Sequence, residues 1–205
     1  MRFLITAGGT REYIDPVRFI TNASSGKMGC ALARAALKAG HKVTLISASD
    51  LQPPVGVDFV GVESASDMFT AVKKFFNKCD CLIMAAAVAD YTPARPAKTK
   101  IKRINKYLTL KLKPTADILR WAGKHKKKNQ FVVGFALEDK NLRANAEKKM
   151  KEKNLDMIIV NTTSAIGSDK AAVQIKTPNS KWLKLAQATK TIIAKKIIEY
   201  ITYSL

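Results

Sequence analysis

Acidic residues are few: 16 Asp and Glu stand against 36 Lys and Arg, giving the 205-residue chain a formal charge of +20. Cysteine is scarcer still, with only Cys30, Cys79 and Cys81. An odd count without a CxxC pair or a histidine cluster argues against a disulfide framework and a zinc site, and for buried thiols. No apolar run reaches the length of about 18 residues that a membrane span needs. The first residues lack the small-residue cleavage pattern of a signal peptide, so a cytoplasmic protein is expected. Internal repeats and low-complexity segments are also missing. The length suits a single α/β domain over residues 1–205, able to bury about 70% of its unfolded surface.

The excess of positive charge raises the question of nucleic acid. Basic residues are spread over most of the chain, however, and only residues 124–128 (KHKKK) form a dense run. That run lacks the interleaved aromatics of single-strand binders. Specific nucleic-acid binding is not expected. A basic proteome or solvated faces would account for most of the charge, with a smaller share available to attract a triphosphate and a phosphorylated substrate.

What is present is most informative at the start. Residues 2–7 (RFLITA) read as a buried strand closed by Gly8 and Gly9. A loop over residues 10–23 follows, and then Ser24-Ser25-Gly26-Lys27-Met28-Gly29 leads into the alanine-rich helical segment 30–39. The first-turn amides of that helix and its dipole favour an anion at the strand end, and a nucleotide phosphate is the one expected. Gly26 and Gly29 allow close approach by a ligand or by a neighbouring strand. The stretch is not a Walker A loop, which needs Gly where Thr21 stands and Ser or Thr where Met28 stands. Nor is it a Rossmann fingerprint, whose glycines share one short turn.

Beyond the first helix, residues 42–48, 57–62 and 80–86 read as strands and 66–77 as a helix. Apolar strands separated by helices predict an open, mostly parallel, Rossmann-like sheet with helices on both faces. Ligands of such sheets lie beyond the carboxyl ends of the strands, here Gly8-Gly9 and residues 87–90. Two prolines in residues 92–99 predict a mobile loop. Residues 100–102 and 107–113 alternate polar and apolar side chains and predict a projecting antiparallel arm, as do 172–176 with 181–185. Helices are predicted over 116–127, 142–153 and 189–201, and buried strands over 131–137 and 157–162. Two projecting arms suit a homodimer.

Three ordered blocks now stand out: TAGGTREYIDPVRFITNASSGKMG (residues 6–29); Ala86-Ala87-Val88-Ala89-Asp90-Tyr91 with Lys100-Ile101-Lys102-Arg103; and Val133-Gly134-Phe135-Ala136-Leu137-Glu138 with Asn154-Leu155-Asp156 and Val160-Asn161. Together they resemble the phosphopantothenoylcysteine synthetase family of coenzyme A biosynthesis over nearly the whole chain. The resemblance implies a ligase. The carboxylate of 4'-phosphopantothenate would attack CTP to give an acyl-cytidylate, from which the amine of cysteine displaces CMP, with Mg²⁺ accompanying the nucleotide. The flavin-dependent decarboxylase often fused to this family has no counterpart, so no flavin is expected and a separate decarboxylase protein is the implied partner.

Residue by residue, Asn22 falls where the family holds the acyl-cytidylate. A neutral amide that both donates and accepts suits that task, and it equally suits a cap ahead of the helix. Arg18 would face a substrate anion or stand as a solvated loop charge. Lys100 matches the first lysine of the family's Lys-Ile-Lys-Lys run, placed where a closing flap would carry it. Asp90 would bond the nucleotide or hold Mg²⁺ through water. Gly8, Gly9, Ser25, Gly26, Ala86 and Ala87 would line the nucleotide. Ala116, Asp117, Ile118 and Leu119 resemble the family's Pro-Asp-Ile segment with Ala116 in the proline's place. Phe135 would lie near the base or be a core aromatic. Lys149 and Lys153, one helical turn apart, can reach one ligand. Two further departures are Asp139 for a usual threonine and Ala171 for an asparagine in Ser168-Asp169-Lys170-Ala171.

Two other readings compete. An NAD(P)-dependent Rossmann oxidoreductase would use Tyr107 and Lys111, but on a strand these stand about 13 Å apart. The second predicted strand also lacks a terminal acidic residue, carrying Ser47 and Ser49 before Asp50. A non-enzymatic basic nucleic-acid-binding protein would show steep salt dependence.

Overall fold

A computed structural model describes residues 1–103, 105, 107–137, 140–161 and 168–204. The chain runs β1 (Arg2–Ala7), β2 (Arg11–Tyr13), β3 (Phe19–Thr21), α1 (Lys27–Lys38), β4 (Lys42–Ser47), β5 (Asp58–Gly61), α2 (Ala65–Phe76), β6 (Cys81–Met84) and β7 (Tyr91–Pro93). It continues β8 (Leu112–Pro114), α3 (Ile118–His125), β9 (Phe131–Leu137), α4 (Leu142–Glu152), β10 (Met157–Asn161), β11 (Lys170–Lys176), β12 (Leu183–Thr189) and α5 (Lys190–Ser204). Eight strands form one sheet in the order β12-β11-β10-β9-β6-β1-β4-β5. The six from β10 to β5 are parallel, in keeping with the buried apolar runs of the central strands, and β11 and β12 close one edge antiparallel.

Alternate side chains of each central strand serve opposite faces. Phe3, Ile5, Cys81, Ile83, Met157 and Ile159 pack with α1 and α5, while Leu4, Leu82, Val132, Ile158 and Val160 pack with α2, α3 and α4. The order reverses between β1 and β6: from β1 the chain proceeds outward through β4 and β5, then returns to place β6 on β1's other side. Connections leaving two adjacent strands in opposite directions open a crevice at their carboxyl ends.

Two readings of the sequence are corrected. Among the described residues, 100–103 and 107–111 contain no strand. Leu112–Pro114 pairs instead with Tyr91–Pro93, so β7 ends inside the predicted proline loop, and Pro93 is tolerated because this two-strand ribbon has open edges. The second antiparallel pair, β11 and β12, continues the main sheet from β10. The loop expected over residues 10–23 also contains a small hairpin, β2 with β3. Glu138 and Asp139, and the end of the strand predicted to reach residue 162, lie outside the described residues.

The entry to β1 is clamped to that of β6. Asp80 accepts the Arg2 backbone N–H at 2.8 Å and its guanidinium at 2.7 Å. The Arg2 hydrogen bond outweighs burial and holds the Asp80 carboxyl below its ordinary value. A depressed folded-state pKa adds stability above the unfolded value of about 4, which is lost as pH falls through the folded value. With the Asp80 side chain 34% exposed, screening limits this to about 1 kcal/mol or less. Asp80→Asn is therefore expected to lower the urea midpoint slightly at neutral pH. Its deficit against wild type should shrink below about pH 4, and a deficit that is the same at both pH values would exclude the charge as its cause.

Candidate active site

A cavity of about 550 Å³ opens at the carboxyl ends of β6, β9 and β10, beside the first turns of α1, α3 and α5. Its first wall is residues 22–29. Gly26 takes φ +78°, and a Cβ there would lie 2.6 Å from Ser49 Oγ, so only glycine fits. Because Gly26 is the N-cap of α1, that helix begins without a side-chain cap, its first-turn amides open to a ligand. Gly29 serves packing, since its Cβ would lie 2.5 Å from Ala7 Cβ on β1.

Gly8 and Gly9 lie behind this wall rather than in it. The Gly8 carbonyl accepts the Ala87 N–H at 2.8 Å, Gly9 bridges to Ala87, and a Cβ on Gly9 would come 2.5 Å from Asn22 O. They set the separation of two lining segments, 22–26 and 86–88. Thr6 Oγ1 accepts the Ala86 N–H (3.1 Å) and Thr10 Oγ1 that of Ala89 (2.9 Å), holding the second segment in place. Asn22 spans the two: its Nδ2 donates to the Ala87 and Val88 carbonyls, both at 3.2 Å. Those acceptors fix the amide's orientation and leave Oδ1 as its accepting atom.

Asp90 also lines the cavity, and the chain leaves it there and returns to it. Asp90 O accepts the Thr115 N–H at 2.9 Å, closing the β7–β8 ribbon. The excursion thus delivers Ala116, Asp117, Ile118 and Leu119 to the opposite wall at the start of α3. Asp117 caps α3 by accepting the Arg120 N–H at 3.0 Å and pairs with Lys153 Nζ at 2.8 Å. Burial pushes its carboxyl up, but Lys153 and the Arg120 N–H overcome this and hold it below the ordinary range. Lys149 Nζ donates to Phe135 O at 2.9 Å, so α4 is tied to the end of β9 across the cavity.

Ser25, Gly26, Ala86, Ala87, Phe135, Lys149 and Lys153 therefore share one cavity with Asn22 and Asp90. Arg18 and Lys100 do not line it. Asp15, buried, accepts N–H bonds from Val17, Arg18 and Ile101 and pairs with Arg18 at 3.2 Å. Burial raises its carboxyl, and these donors more than reverse the effect. Arg18 also donates to Ile101 O at 3.1 Å. The segment carrying Lys100 is thus docked on the β2–β3 hairpin, with Lys100 itself exposed.

Among the lining residues to which the sequence assigned no role are the polar side chains of Lys27, Asn161 and Lys190. Asn161 Oδ1 is buried with no partner among the described residues. Lys27 and Asn161 stood within quoted blocks, whereas Lys190 had no local signal. Among the described residues no group of three or more His, Cys, Asp or Glu is placed to hold a metal. None of the described helices is long and apolar enough to cross a membrane.

The chain resembles known proteins over its whole length. A family model described as the DNA/pantothenate metabolism flavoprotein C-terminal domain matches residues 1–204. The coenzyme A biosynthesis bifunctional protein CoaBC of Bacillus subtilis (strain 168) is 48% identical over 167 residues, covering 80% of this chain and 41% of that protein. A protein named cysteine/cysteine sulfinic acid decarboxylase, from an unknown prokaryotic organism, is 48% identical over 169 residues, covering 82% and 47%. The crystal structure of the C-terminal domain of CoaBC superposes with a TM-score of 0.84 at 41% identity, covering 98% of this chain and 93% of that one. The chain spans about half the length of the curated relatives it matches.

Proposed function

The chain belongs to the DNA/pantothenate metabolism flavoprotein C-terminal-domain family, and on that premise we propose that it acts as a phosphopantothenoylcysteine synthetase using CTP. The observation that carries this reading is the convergence, on one cavity, of the uncapped start of α1 and the Asn22 amide clamped to residues 87–88. The first feature suits a phosphate chain, the second an acyl phosphate.

A carboxylate oxygen of 4'-phosphopantothenate forms a bond to the α-phosphorus of CTP, the bond from that phosphorus to the α–β bridging oxygen breaks, and pyrophosphate departs with the electron pair. The amine of cysteine then bonds to the acyl carbon, the acyl–oxygen bond breaks, CMP leaves, and the ammonium proton passes to solvent. Asn22 steadies the acyl-cytidylate. Ala116, Asp117, Ile118 and Leu119, with Phe135, Lys149 and Lys153, seat the nucleoside. Gly8 and Gly9 hold the wall formed by Ser25, Gly26, Ala86 and Ala87. Arg18 and Lys100 act after the segment docked on the β2–β3 hairpin moves over the cavity.

A Mg²⁺ ion fits as a companion of the triphosphate, since Asp90 lines the cavity and the phosphates would supply most ligands. When bound it would screen the charge between the two anionic substrates. Exposed Val17, Phe19, Tyr91, Leu108, Leu110 and Leu112, carried on or beside the two small ribbons, support association as a homodimer. The oxidoreductase alternative loses its remaining support: Tyr107 and Lys111 are exposed and lie on no helix, and Asp50 is paired with Arg11.

The test is pyrophosphate release with Mg²⁺, 4'-phosphopantothenate and cysteine, run with CTP and with ATP. Release that requires the phosphopantothenate and prefers CTP supports the proposal. Preference for ATP overturns the choice of base, and no release with either overturns the ligase. Lys100→Gln is expected to slow release by at least about tenfold, the worth of one charge-assisted contact, with an unchanged melting temperature because the side chain is exposed. A large fall in melting temperature would assign Lys100 to structure instead.

A further inference from the structure

The turn between β2 and β3 carries a carboxylate, Asp15, whose side chain has no solvent exposure and which lies outside the cavity. Its two oxygens divide their partners. Oδ1 accepts the N–H of Val17 at 2.8 Å and of Arg18 at 2.9 Å, the local bonds by which an aspartate closes a turn. Oδ2 reaches across 86 residues of sequence to accept the Ile101 N–H at 3.1 Å, and it also pairs with Arg18 Nη1 at 3.2 Å. Arg18 Nη2 completes the circuit by donating to Ile101 O at 3.1 Å. Side chains of one turn thus grip both polar groups of the Ile101 backbone. The N–H taken by Asp15 belongs to the rigid peptide plane that joins Lys100 to Ile101, so the same oxygen that orients Arg18 also sets the backbone of Lys100. A second backbone tie, from Ala97 N–H to Ile14 O at 2.8 Å, holds the preceding residues to the same turn.

We propose that Asp15 is a positioning residue that binds Arg18 and the Lys100 segment into one cationic unit, so that both cations reach the acidic substrate together. The substrate, 4'-phosphopantothenate, rests on the ligase reading. The Arg18 side chain is 44% exposed and the circuit engages only two of its nitrogens, which leaves N–H donors for an anion. Two long side chains on separate loops would each lose rotamer freedom on meeting a ligand. Fixing one guanidinium and one backbone on a shared carboxylate meets part of that cost during folding. Glu12, the other buried carboxylate of the hairpin, fastens it instead to α2 by accepting the Ala65 N–H at 2.9 Å.

Asp15→Asn separates the two oxygens. The Val17 and Arg18 N–H groups keep the asparagine Oδ1 in its place, and Nδ2 then meets the Ile101 N–H and the Arg18 guanidinium, donor against donor. Hydrogen exchange without any nucleotide should show the Ile101 amide exchanging at least about tenfold faster than in wild type, with the amides of β1 unchanged. Glu12→Gln keeps a carbonyl oxygen for Ala65 and should leave Ile101 as protected as in wild type. In the pyrophosphate assay, Asp15→Asn should raise KM for 4'-phosphopantothenate about tenfold and lower kcat, with KM for CTP unchanged. Lys100→Gln added to Asp15→Asn should then cost well under the tenfold or so that it costs alone, because the unit is already broken. An Ile101 amide unprotected in wild type or unchanged in Asp15→Asn overturns the proposal, as do independent losses in the double variant. An equal effect of Glu12→Gln, or faster exchange throughout β1, would assign Asp15 to the general stability of the hairpin and overturn it too. Selective release of Ile101 in a protein that frees no pyrophosphate from any nucleotide would overturn the ligase and keep the coupling of the two segments.

Discussion

Gly123→Ala is expected to lower the unfolding midpoint by about 5 °C or more, although alanine is by itself the better helix former by about 1 kcal/mol. Gly123 lies in α3, where an added Cβ would stand 1.8 Å from Lys153 O and 3.1 Å from Asn154 O. Both are backbone atoms at the carboxyl end of α4, and Asn154 is itself held there by donating to Gly123 O at 2.9 Å. Nothing at the contact is a flexible side-chain tip, so the two helices must separate. Overpacking of this kind costs about 1–3 kcal/mol and more where backbone moves, which exceeds the propensity gain. Separation would also carry Lys153 away from Asp117 and loosen the nucleoside wall. Nucleotide affinity should therefore fall together with the midpoint, both read in one thermal-shift titration. A midpoint at or above wild type would show that α3 and α4 slide at little cost.

The contact at Gly123 also shows where local sequence reading ends. The apolar run at residues 131–137 defined β9 at both ends because its buried pattern is nearly continuous, and helix periodicity placed α4 within one residue although only Ala146 and Met150 of it are buried. Alternation over 100–102 and 107–113 was a weaker guide. It describes a half-exposed surface but not a partner, and the partner chosen is β7, brought there because 90 and 115 meet at the cavity. The strands of β2 and β3, three residues each, are too short for any period to appear. The site followed the same division. Residues in the three blocks converge because the strands that precede them end at one sheet edge, which the alternation of strand and helix foretold. Lys190 begins a C-terminal helix with no motif around it. Only the packing of α5 against α1 brings it to Lys27. Arg18 and Lys100 stood in strong motifs, yet Asp15 holds both segments outside the cavity, a buried-carboxylate contact that spacing does not encode.

Asn22→Asp should reduce pyrophosphate release about 100-fold, close to the 3 kcal/mol or so that one oriented donor contributes to a charged transition state. Asn22 Nδ2 donates to two carbonyl oxygens, so aspartate presents an oxygen to both, repelling residues 87–88 and placing a negative charge beside the phosphates. The fold should survive. Asn22 is exposed, and residues 86–89 keep their bonds to Gly8, Thr6 and Thr10. The melting temperature is accordingly expected near that of wild type, which separates a chemical loss from a structural one. Asn22→Ala divides the effect further, since it deletes the donors without adding charge. A smaller loss in Ala than in Asp would assign the difference to repulsion of the phosphates, and equal losses would assign all of it to the missing amide. Turnover at the wild-type rate in Asn22→Asp would remove this side chain from the reaction and leave the cavity's chemistry to α1 and its lysines.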